Sequence, residues 1–122
     1  MSKHLDLGCG AVPRNPYRQQ QLFGVDVAPH ATPAHIEIRN ANVALGPIPH
    51  PDSCFDSVSA FDFLEHVPRV LALADGSGTR FPFVELMNEV NRVLKPGGKF
   101  YALTPCFPCE AAFSDPTHVN II

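Results

Sequence analysis

Two features of the sequence could do chemistry together: the run Asp6-Leu7-Gly8-Cys9-Gly10, and Asp26, twenty residues after Asp6. Gly8 and Gly10 lack side chains, so the backbone can bend sharply there and a ligand can approach the main chain. An acidic side chain such as Asp26 can accept hydrogen bonds from both hydroxyls of a ribose. The pair therefore points to capture of an adenosine-type ligand. Turn chemistry alone, a glycine-rich strand exit followed by an aspartate, is the competing explanation.

For these residues to meet, the strands that end in them must be neighbours. His4 to Leu7 reads as a short first strand that runs straight into the glycines, and Leu22 to Val27 as a buried second strand bearing Asp26. In a doubly wound sheet such strands lie side by side, and both features face one crevice. Pro13 and Pro16 allow at most a short or broken helix between them. Further strands are expected at Ala34 to Arg39, Phe55 to Phe61 and Lys99 to Thr104, with a turn or short helix through Leu64 to Val70 and a loop at Gly76-Ser77-Gly78. The clearest helix starts near Pro82 and carries Phe83, Leu86, Met87, Val90, Val93 and Leu94 at spacings of three and four. Glu85, Glu89 and Arg92 form its solvated face, and Lys95-Pro96-Gly97-Gly98 ends it. Alternating strand and helix periods suggest α/β layering around a doubly wound, mostly parallel sheet of about five strands.

Composition narrows the class. A chain of 122 residues makes one domain, 1–122, and 45% hydrophobic with 17% charged residues suits a packed core. Nine basic against twelve acidic residues, with no basic run, argue against nucleic acid and against an anionic membrane surface. No apolar stretch is long enough to span a bilayer and the first residues lack a signal peptide's apolar core, which implies a cytoplasmic protein. Four cysteines are then read as reduced thiols.

Two rival chemistries fit less well. A nicotinamide dinucleotide needs a third glycine where Pro13 stands, and a good helix N-terminus for its pyrophosphate. Cys106-Phe107-Pro108-Cys109 has metal-like spacing, but there is no second such pair and His118 adds only a third ligand, so no metal is assigned.

Leu5-Asp6-Leu7-Gly8-Cys9-Gly10 resembles the first motif of class I S-adenosylmethionine-dependent methyltransferases, and Gly24-Val25-Asp26 their ribose-binding strand end. The stretch from Pro49 to Val58, followed by Phe61-Asp62-Phe63-Leu64-Glu65-His66-Val67, is similar to the family's fourth-strand region. Glu89-Val90-Asn91-Arg92-Val93-Leu94-Lys95-Pro96-Gly97-Gly98 resembles the helix and turn before its fifth strand. These motifs follow the family's order along nearly the whole chain.

The resemblance implies a Rossmann-like form for the parallel sheet and S-adenosylmethionine as cofactor. Asp6, Gly8, Cys9 and Gly10 would line its methionine part, Asp26 would hold the ribose, and Val27 would pack on the adenine. Asn42 would meet the adenine edge, where family members often carry an aspartate, and Phe61 and Asp62 would sit beneath the sulfonium side. Methyl transfer to a small-molecule or glycan-like acceptor, at oxygen or nitrogen, would follow. A general base is needed only for an acceptor protonated at neutral pH, and His66 and His118 are the residues expected for it. Asp115-Pro116-Thr117-His118-Val119-Asn120 is also similar to a stretch after the fifth strand in some members. The family's sheet has seven strands, and Ile121-Ile122 falls where the last two would begin, so the fold is expected to be truncated. Either the chain is part of a longer enzyme or a homodimer covers the open fifth-strand edge. The alternative to an enzyme is a catalytically silent cofactor-binding or partner-binding module.

Overall fold

A computed structural model describes residues 1–28, 31 and 35–104. Strands β1 (Lys3–Leu7), β2 (Gln21–Asp26), β3 (Ile36–Asn40) and β4 (Phe55–Phe61) are followed by a 3-10 turn at Leu64–His66. A small antiparallel hairpin, β5 (Leu71–Ala72) and β6 (Thr79–Arg80), forms around Gly76-Ser77-Gly78, which the sequence suggests only as a loop. Helix α1 (Pro82–Val93) and strand β7 (Leu94–Leu103) complete the described chain. The main sheet is parallel throughout, in the order β3-β2-β1-β4-β7. This is the Rossmann-like α/β arrangement, with β1 at its centre.

The two faces of the central strands are chemically unlike. Leu5 and Leu7 lie in register with Phe23 and Val25 on one side and with Val58 and Ala60 on the other. With Leu86, Val90 and Val93 of α1 they belong to a single apolar core, which also takes in Val43, Ile48, Leu64 and Val67. The alternate residues His4, Asp6, Ser57 and Ser59 are just as deeply buried but polar. They meet residues 8–20, which contain no helix at all. Pro13 and Pro16 lack N–H donors for a helical ladder, and a flat path over the sheet is open because Gly24 has no side chain. A Cβ at Gly24 would stand 2.6 Å from Cys9 Sγ and 2.7 Å from Pro13 Cγ.

Helix α1 begins on Pro82 in its first turn and buries Leu86, Val90 and Val93, as its spacing requires. Its expected solvated face is different. Glu89 accepts the Ile48 N–H at 2.9 Å and pairs with Arg92 at 2.7 Å. Arg92 donates to the carbonyls of Ile48 and His50 and to Asp52, each at 2.9 Å. The two residues thus satisfy the backbone of the proline-rich loop before β4. The sequence could not reveal this, since the loop lies some forty positions away.

β7 pairs with β4 from its first residue, Leu94 opposite Phe55, then skips to Lys99 opposite Ser57. The intervening Lys95-Pro96-Gly97-Gly98 bulges out, with Gly97 at φ +79°. It is the turn expected after the helix, enclosed within one strand. No helix among the described residues is long and apolar enough to cross a membrane.

Candidate functional site

The C-terminal ends of β1 and β2 are tied together by the glycine turn. The N–H groups of Gly8 and Cys9 both donate to the Val25 carbonyl, at 2.8 and 3.1 Å. This sets Gly8 directly beside the end of β2, where Asp26 projects. Gly8 has φ +63°, a conformation that favours glycine, and a Cβ there would lie 2.7 Å from Phe63 Cδ1. The turn therefore requires glycine for its backbone and again for the ring that packs on it.

A cavity of about 550 Å³ opens at this point, lined by Gly8, Val25, Asp26 and Val27 on one side. Asn42 to Leu45, beyond β3, form another wall, and Asp62, Phe63, His66 and Pro68, beyond β4, close the rest. The crevice sits beyond the carboxyl ends of parallel strands, where open α/β sheets take ligands. Asp26 Oδ1 accepts the Val27 N–H at 2.7 Å, which orients the carboxylate at the strand end. Asn42 Oδ1 accepts the Ala44 N–H at 3.2 Å, so its amide is held by its own turn. Asp62 has φ +52°, and its N–H donates to the Leu103 carbonyl at 2.7 Å, fixing the sharp exit from β4.

Of the residues singled out from sequence, Gly8, Asp26, Val27, Asn42, Asp62 and His66 come together around this cavity. Asp6, Cys9, Gly10 and Phe61 do not line it. Asp6 is buried beneath the turn, accepting the Arg14 N–H and the Ser59 hydroxyl, each at 2.8 Å. Burial pushes its carboxyl above the ordinary range, while those hydrogen bonds and the Arg14 charge pull it back. Cys9 lays its sulfur over Gly24, and burial, with the charges of Asp6 and Asp26, pushes its thiol up to about 11. A thiol so placed is not a nucleophile at neutral pH. Gly10 has φ +63° and serves the bend alone. Phe61 stacks near Tyr101, with centroids 5.4 Å apart, and carries the Arg14 guanidinium 4.7 Å over its ring. His118 and the Cys106–Cys109 pair lie outside the described residues.

Several wall residues escape sequence reasoning. Phe63 declares itself only through its contact with Gly8, and Val43, Ala44 and Leu45 form an apolar wall whose signal was the apolar run after Asn42. Glu65 is buried beside His66, with Oε1 3.7 Å from His66 Nε2. Chemically the site offers a backbone cradle, a carboxylate suited to vicinal hydroxyls, an apolar slot for a planar ring, and an imidazole with a carboxylate behind it. Among the described residues no group of three or more histidines, cysteines or acids could hold a metal.

The profile of the Methyltransferase domain family matches residues 5–102. No curated protein matches the sequence. Among solved structures, the YcgJ protein from Bacillus subtilis is similar at a TM-score of 0.67 and 21% identity, over 98% of this chain and 55% of that one. The complex of the Haloferax volcanii Trm112 methyltransferase activator with a protein described as a methyltransferase gives 0.60 and 21%, over 83% and 44%. Trans-methyltransferase CalH, solved with SAH, gives 0.53 and 17%, over 80% and 30%. At these identities the likeness is one of fold, and this chain spans only 30% to 55% of those chains. The family profile, by contrast, runs from Leu5 on β1 through the glycine turn, Asp26 and α1 to Ala102 on β7, and on that ground the chain belongs to the Methyltransferase domain family.

Proposed function

We propose that the cavity binds S-adenosylmethionine and that the chain transfers its methyl group to a small-molecule or glycan-like acceptor at oxygen or nitrogen. The observation that carries this reading is the shared wall of Gly8 and Asp26: a side-chain-free turn and a carboxylate meet at one cavity. The cofactor supplies a methyl group already activated on a cationic sulfur, so orientation provides most of the rate. Asp26 would accept hydrogen bonds from the ribose hydroxyls, and Val27 with Val43 to Leu45 would enclose the adenine. Asn42 would meet the adenine edge, and its amide, held through Oδ1, would present its NH2 donors there. Asp6, Cys9 and Gly10 would act by shaping the turn under the methionine part, and Phe61 and Asp62 by shaping the exit of β4.

His66 is the general base of this reading. The Glu65 carboxylate beside Nε2 would stabilise the cation formed when the imidazole takes the acceptor's proton. His118, outside the described residues, would be a second base. Calorimetric titration of folded protein with S-adenosylmethionine or S-adenosylhomocysteine tests the reading: saturable binding supports it, and no heat with either refutes it.

A partner-assisted reading has one specific support, the similar Haloferax structure solved with a methyltransferase activator. β3 and β7 form the edges of the described sheet, and either a second copy or a partner subunit pairing with β7 would complete the enzyme or replace its activity by binding. Sedimentation of the chain alone tests this: a dimer favours a second copy, and an active monomer removes the need for both.

A further inference from the structure

On the polar face of the sheet, five groups form a continuous chain. Gln19 Nε2 donates to Ser57 Oγ at 3.1 Å, Ser57 Oγ lies 2.6 Å from His4 Nδ1, and His4 Nε2 lies 2.7 Å from Ser59 Oγ. Ser59 donates to Asp6 Oδ1 at 2.8 Å, and the Arg14 N–H occupies Asp6 Oδ2 at the same distance. His4, Asp6, Ser57 and Ser59 are all buried, so no solvent can make good a missing proton.

With Asp6 ionised and the Gln19 amide turned so that Nε2 meets Ser57, the proton positions follow by elimination. An ionised carboxylate only accepts, so the single Ser59 hydroxyl proton points to Asp6. The Ser59 oxygen must then accept from His4 Nε2–H. A neutral imidazole has one N–H, so Nδ1 accepts the Ser57 hydroxyl proton, and the Ser57 oxygen is left to accept from Gln19. Every donor and acceptor along the line is used in one direction. An imidazolium would leave the Ser57 proton without its acceptor, a costly fault in a buried network.

We propose that His4 is a positioning residue for the glycine turn: locked as the neutral Nε2–H tautomer, it aims Ser59 at Asp6 and holds that carboxylate in place beneath residues 8–14. Asp6 in turn holds the Arg14 N–H, which pins the far end of the bend that Gly8 begins at the cavity wall. His4 touches no ligand; it acts through Ser59 and Asp6. This deepens the cofactor-binding reading and rests on it for its functional effect alone.

The test combines nitrogen NMR of the histidine rings, hydrogen exchange at the Arg14 amide, and S-adenosylhomocysteine titration of the full chain. In the native protein His4 is expected as a single Nε2–H tautomer, and observation of the Nδ1–H form overturns the proposal. Ser59→Ala and His4→Leu should each speed Arg14 exchange on the order of tenfold and weaken S-adenosylhomocysteine binding about 3- to 10-fold. The double variant should lose little more than either single one, because both cut the same line. A purely structural role would give additive losses, and a folded Ser59→Ala with native Arg14 exchange would contradict the proposal. If the unaltered chain binds no S-adenosylhomocysteine, the function proposed above fails while the tautomer and exchange results still decide the network.

Discussion

Gly8 and Phe63 occupy complementary space: the ring of Phe63 fills the position a Gly8 side chain would take, with Cδ1 2.7 Å from an ideal Cβ. The first glycine of the turn is thereby coupled to the β4 exit, on the opposite wall of the cavity. Gly8→Ala must displace the ring and hold a left-handed backbone with a side chain, at a cost of about 1–3 kcal/mol. We expect lower thermal stability together with weakened cofactor binding. Phe63→Ala in the same chain should return part of the stability, since it removes the clash and leaves the backbone strain. Full recovery, or none, would show that the contact is not the cause.

His66 and Glu65 sit side by side at the cavity edge, which predicts a division between binding and turnover. His66→Asn should lower kcat by about 10²–10⁴-fold for an acceptor that must lose a proton, with a far smaller change in cofactor affinity. Glu65→Gln should give a smaller loss of the same kind. Equal loss of affinity and turnover would place His66 in binding instead. Steady-state rates beside calorimetry separate the two once an acceptor is in hand.

Much of this was legible beforehand because it is local. Strand period, the Pro82 start and the Lys95–Gly98 stop are written in consecutive residues, and so are the glycine turn and the carboxylate that ends β2. Contacts distant in sequence were not. Asp6 looks like a ligand-facing acid until β4 supplies Ser59 opposite it. Residues 8–20 look like a failed helix until Gly24, on the next strand, is seen to leave room for Cys9 and Pro13. Glu89 and Arg92 look solvated until the Ile48 and His50 backbone groups arrive to be satisfied. In each case a polar or small residue took its meaning from a partner that no local pattern names.

Two buried histidines predict how stability responds to acid. Burial lowers His4 to about 4, and burial with the nearby Arg39 charge lowers His50, packed between Phe23 and Phe55, to the same value. In the unfolded chain both protonate near the ordinary value of about 6.5. Between those limits the unfolded state binds more protons, so stability is full above about pH 6.5 and falls as the pH drops toward 4. Discounted for solvent screening, His4 should cost on the order of 1–2 kcal/mol between pH 7.5 and 5, and the less enclosed His50 less than that. Asp6 is shifted upward and acts in the opposite sense, favouring the fold at low pH and giving that up as the pH rises through its folded value. Urea unfolding at the two pH values checks this, and His50→Phe should flatten the profile in part, leaving the share due to His4. A pH-independent midpoint would contradict it.

The most direct measurement is calorimetric titration of S-adenosylhomocysteine into the native chain and into Asp26→Ala. Saturable binding to the native protein is expected, with an affinity lower by about 1–3 kcal/mol in the variant, which keeps its fold and loses its hydrogen bonds to the ribose. Absence of binding to the native chain, or equal affinity in the two, would contradict the proposed function.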